Sequence, residues 1–96
     1  MEIIEGLGVR LKELRNERDM SLDMVVYDIN HRYNAKITKG HLSKWEREIN
    51  MPSLPHARYL CLYYNVSLDY LIGLTKVKVP VRVLAKEAIG GKEGDD

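Results

Sequence analysis

Between Ile37 and Arg47 the chain reads Ile-Thr-Lys-Gly-His-Leu-Ser-Lys-Trp-Glu-Arg. Lys39, His41, Ser43 and Lys44 are donors suited to phosphate oxygens or to the acceptor edges of nucleobases. Lysine can donate to guanine O6 and N7, serine reaches either a base or a phosphate, and Gly40 lets a backbone come close. His41 can either donate or pack at the edge. Other chemistry is thinly supplied: His31, His41, His56 and Cys61 are the only imidazoles and thiol, and no spacing among them matches a zinc pattern. No catalytic residue, metal or cofactor is expected, and the chain does not read as an enzyme.

A short helix would present these residues. Thr38 can N-cap it by accepting a backbone N–H of the first turn. At 100° per residue, Thr38, Leu42, Trp45 and Glu46 fall on one side, while Gly40, Ser43, Lys44 and Arg47 fall on the other, with Lys39 and His41 at the edges. One face packs and the other is small or basic, as a helix in a DNA major groove requires. The same pattern also fits an amphipathic surface helix with solvated lysines.

The bulk properties are those of a single soluble domain: 96 residues, 45% hydrophobic and 30% charged. A net charge of +1 argues against a nucleic-acid partner until the charge is located. Residues 1–30 carry four Lys/Arg against seven Asp/Glu, whereas residues 31–47 carry five against one, a local net of +4. With one cysteine no intramolecular disulfide forms, and no signal-peptide pattern or membrane-length apolar run is visible. A cytoplasmic protein with no membrane partner is expected.

Five short helices and no strand are predicted for the first three-quarters of the chain. Leu11 and Leu14, amid Arg10, Lys12, Glu13 and Arg15, place a first helix from Val9 to about Arg18; the glycines before it weaken any earlier start. Ser21 caps a second, with Val25, Ile29 and Tyr33 at four-residue steps and Asn34 as its stop. The third begins after Thr38 and ends near Glu48 to Asn50. Pro52 and Pro55 bracket the start of a fourth, whose buried side is Leu54, Ala57, Leu60, Cys61 and Tyr64. Ser67 caps a fifth that reaches Gly73. Beyond it, Val77, Val79, Val81 and Val83 alternate with Lys78, Pro80 and Arg82 in the period of an edge strand. That segment would pair with a second copy, lie against the helices, or serve as a linker, and Gly90 to Asp96 has the composition of a disordered end.

In order and spacing the chain resembles the phage-repressor and Cro-type helix-turn-helix regulators, also called the xenobiotic-response-element family. The resemblance spans about Val9 to Gly73. It rests on Arg10-Leu11-Lys12-Glu13-Leu14-Arg15, on Leu42-Ser43-Lys44-Trp45-Glu46-Arg47, and on Pro52-Ser53-Leu54 followed by Tyr64-Asn65-Val66-Ser67-Leu68-Asp69-Tyr70-Leu71-Ile72-Gly73. It implies an all-α, five-helix lambda-repressor-like domain over residues 1–74, with an extended or disordered tail over 75–96. It implies a structural ion pair between Arg15 and Glu46, agreeing with the wheel that puts this acid on the packed side.

The resemblance also nominates Lys39, Gly40, His41, Ser43 and Lys44 as base contacts. Ser21 would face a phosphate at a helix N-terminus, and Arg32, Lys36, Arg47 and Asn50 are further phosphate candidates. The implied function is sequence-specific binding of double-stranded DNA, as a homodimeric repressor on a near-palindromic operator. The alternative is an antitoxin or adaptor that uses the same helices, with a protein partner on the tail. Three departures stand out. Leu22 replaces the usual phosphate-clamping Gln. Glu48 stands where Gly is common after the third helix, leaving the left-handed role to Asn50. About six extra residues, His31 to Lys36, separate the second and third helices.

Overall fold

The computed structural model describes residues 6–78. It contains α1 (Leu7–Glu17), α2 (Leu22–Tyr33), α3 (Lys39–Glu46), α4 (Leu54–Tyr64) and α5 (Leu68–Leu71), with no strand among the described residues.

Local chemistry sets most of these boundaries. Ser21, Thr38, Ser53 and Ser67 each accept the N–H of the residue three positions on, starting α2, α3, α4 and α5. Asn34 and Asn65 close α2 and α4 in the left-handed conformation, at φ 53° and 57°. Leu11, Leu14, Val25, Ile29, Leu42, Trp45, Leu60, Tyr63 and Leu71 form one core shared by all five helices. Cys61 lies within it, and burial pushes its thiol up to about 11.

Several details differ from the sequence reading. α1 starts at Leu7 and runs through Gly8, because tertiary packing outweighs the propensity cost of a helical glycine. α3 stops at Glu46, and Glu48 rather than Asn50 takes the left-handed position, at φ 58°. The Glu48 N–H donates to Trp45 O at 3.1 Å and the Ile49 N–H to Lys44 O at 2.9 Å, closing the carbonyls of the last turn. Thr38 is exposed, spending its side chain on the cap rather than on packing. Leu54 is 77% exposed, since its place at the first position of α4 turns it away from the core.

Arg10, read as one of the polar residues flanking the first helix, is 4% exposed. Its Nη1 donates to the carbonyls of Tyr70 and Thr75, each at 3.2 Å, and its guanidinium lies 4.2 Å from the centre of the Tyr70 ring. Lys78 Nζ meets Glu17 Oε2 at 2.8 Å, so residues 75–78 are tied to α1 at both ends. Val77 and Lys78 form no strand; the rest of the alternating valine segment and Gly90 to Asp96 lie outside the described residues. No helix among the described residues is long and apolar enough to cross a membrane.

Candidate nucleic-acid interface

Three devices hold α3 in place. The first is Leu42 and Trp45, 1% and 4% exposed, which seat its inner face in the core. The second is ionic. Arg15 of α1 meets Glu46 through two parallel bonds, Nε to Oε2 at 2.7 Å and Nη2 to Oε1 at 2.9 Å, while its Nη1 donates to Met20 O at 2.9 Å. The two side chains are only 14% and 6% exposed. The bond to Glu46 is the main reason that the Arg15 pKa is raised above its ordinary value.

The third device is a glycine contact. A Cβ at Gly8 would overlap Glu46 O and come within 2.9 Å of Glu46 C and 2.6 Å of Glu48 Cγ, so α1 and the end of α3 meet closer than any side chain allows. The Glu48 carboxylate is packed against Gly6, the residue preceding α1, which has no side-chain cap of its own. A negative charge at that end opposes the helix dipole favourably, compensating the strain of a left-handed glutamate.

The connection from α2 to α3 is ordered by Asn30. Its Nδ2 donates to Ile37 O at 2.6 Å and its Oδ1 accepts from Ile37 N at 2.8 Å, satisfying both backbone groups of one loop residue. Ala35 and Ile37 are buried, whereas Lys36 between them is exposed, at φ 57°. The extra residues are therefore partly a continuation of α2, through Tyr33, and partly a loop anchored in the core.

The nominated residues are not all equally available. Lys39, Gly40, Lys44 and Arg47 are exposed on α3 or at its end, and Ser43 is half-buried among them. Arg47 Nε bonds back to Ser43 Oγ at 3.2 Å. His41 is exposed too, but its Nδ1 accepts from the Thr38 N–H at 3.2 Å and its ring stacks on Trp45 at 5.8 Å. His56 of α4 lies against that pair with its ring tilted, 5.3 Å from Trp45.

Ser21 is exposed, with its oxygen already capping α2. Arg32 leans onto α2 and α4, 3.6 Å from Asp28 and 5.5 Å from the Tyr63 ring. It lies about 16 Å along α2 from Ser21, so the two nominated residues do not share one site. Asn50 is exposed in the turn after α3.

The contacts of Asn30, Gly8 and Asp23 escaped the sequence reading. Asp23, in the first turn of α2, pairs with Lys39 at 3.3 Å. Among the described residues no three His, Cys, Asp or Glu side chains are grouped so as to hold a metal ion. The chain matches no protein-family model, no curated protein and no solved structure.

Proposed function

We infer that the chain is a sequence-specific, double-stranded DNA-binding regulator of transcription, a cytoplasmic protein that represses by covering a promoter as a homodimer. The observation that carries this reading is Gly40. A Cβ built there meets only Thr38 Oγ1, at 3.7 Å, an ordinary contact, and the backbone is regular helix. Folding does not need a glycine at this place, and alanine would favour the helix by up to about 1 kcal/mol. The missing side chain suits close approach by an outside surface, and Lys39, Lys44 and Arg47 around it suit a polyanion.

Gly40→Ala is therefore expected to act in opposite senses. The free protein gains about 0.5–1 kcal/mol by urea denaturation, while affinity for operator DNA drops about tenfold as the methyl group holds the helix off the base edges. Unchanged affinity would remove Gly40 from the interface.

Lys44 separates base reading from plain charge. Lys44→Ala is expected to lose about 1–3 kcal/mol on operator DNA and to relax preference at one base position. An equal loss on random duplex would make it a phosphate contact.

The dimer reading is supported by Ile49, Met51 and Leu54, which are 57%, 63% and 77% exposed between the end of α3 and the first position of α4. They offer a second copy an apolar surface next to the reading helix. Two such helices would enter successive major grooves about 34 Å apart. Selection of bound sites from a random duplex pool, with sedimentation of the protein alone and on the enriched site, tests the whole reading. An enriched palindrome bound by two copies is expected; a pool with no enrichment rejects it.

A further inference from the structure

Asp23 is an acid on a face that otherwise offers bases. It is the second residue of α2, its side chain is 71% exposed, and Oδ2 accepts from Lys39 Nζ at 3.3 Å. Stability gives little reason for the pair, since exposed lysine–carboxylate contacts contribute almost nothing to folding. The dipole of α2 favours an acid in its first turn, which accounts for a carboxylate at this position but not for its reach to Lys39.

What the pair does is place an ammonium. Lysine carries its charge on a four-carbon stem with many rotamers, and Lys39 is 61% exposed at the first position of α3. Bonding to Asp23 biases the ammonium toward the junction of the first turns of α2 and α3. An ammonium has three donors. With one held by Asp23, two remain, enough for O6 and N7 of a single guanine.

Resting on the DNA-binding reading above, the geometry points to Asp23 as a positioning residue that holds Lys39 on a guanine edge and keeps it off the phosphates. The pair is electrically neutral, so it adds discrimination without adding counterion release. Arg47 is left to supply charge that serves any sequence.

The test uses the full chain and the operator enriched by the wild type. Asp23→Asn, Asp23→Glu, Lys39→Gln and the double variant Asp23→Asn/Lys39→Gln are titrated at several salt concentrations. The duplexes are that operator, versions with each guanine replaced, and random DNA. Asp23→Asn is expected to bind random DNA about three- to tenfold more tightly, with a salt slope steeper by about one unit, as a freed lysine finds a phosphate. Its preference for one guanine falls from about tenfold to under threefold. Asp23→Glu restores most of that preference, and the double variant behaves as Lys39→Gln alone.

An Asp23→Asn protein with unchanged slope and base preference overturns the proposal. So does an Asp23→Asn effect that persists in full without Lys39, because Asp23 would then act by simple repulsion. Both results are distinct from failure of the DNA-binding reading, in which the wild type enriches no sequence and both inferences fall.

Discussion

Gly8→Ala is expected to destabilise the protein by about 2–3 kcal/mol, although alanine is the better helix former. The new methyl group would overlap Glu46 O and lie 2.9 Å from Glu46 C, and these are backbone atoms with no rotamer to escape into. Either α1 withdraws from α3 or the last turn of α3 unwinds. Urea denaturation of Gly8→Ala beside Gly40→Ala makes a matched comparison: one glycine and one methyl group in each of two helices, with opposite signs expected. Similar gains from both would show that α1 and α3 do not approach closely at Gly8.

Breaking the Arg15–Glu46 pair is expected to cost a comparable amount, about 2–4 kcal/mol for either Glu46→Ala or Arg15→Ala. Each single change leaves one charge largely out of water without its bidentate partner. The attraction between the intact pair is itself offset by desolvation. The double variant Arg15→Met/Glu46→Leu should therefore recover most of the loss, and a thermodynamic cycle should show strong coupling. Additive single and double losses would mean that the two side chains act independently. The raised pKa of Arg15 fixes the pH behaviour. A basic group with a raised folded pKa contributes stability that is complete below its unfolded value and is lost only above it. The Arg15 contribution should therefore be flat between about pH 6 and pH 10.

The contrast between these two predictions bears on what a sequence can disclose. Helix starts at Ser21, Thr38 and Ser67, and the stop at Asn34, were legible because a cap is chemistry within four residues. The wheel found Leu42 and Trp45 as the inner face of α3, and put Glu46 beside them as an acid that needs a partner. The contacts made across the chain were not legible. Gly8 reads locally as a weak helix start, and only the backbone of Glu46, far away in sequence, gives it a purpose.

Arg10 carries the marks of a surface residue because its partners, the carbonyls of Tyr70 and Thr75, are groups that every residue possesses. Asn30 is hidden for the same reason: a side-chain amide that binds the backbone N–H and C=O of one residue leaves no pattern of residue types behind. In the candidate interface, the exposed positions of α3 followed from periodicity. His41 meets Thr38 and Trp45 of its own helix, contacts at helical spacing, whereas the pairing of Lys39 with Asp23 depends on a neighbour from α2.

The outer face of α3 has a consequence for how this protein can change over time. Gly40 opens onto free space and Lys44 is exposed, while the groups that hold the helix, Arg15, Glu46, Gly8, Leu42 and Trp45, lie elsewhere. Substitutions at positions 40 and 44 are close to neutral for folding, within about 0.5–1 kcal/mol. A duplicated copy of the gene could therefore drift to a new target through two or three replacements on one helix, passing through folded intermediates at every step.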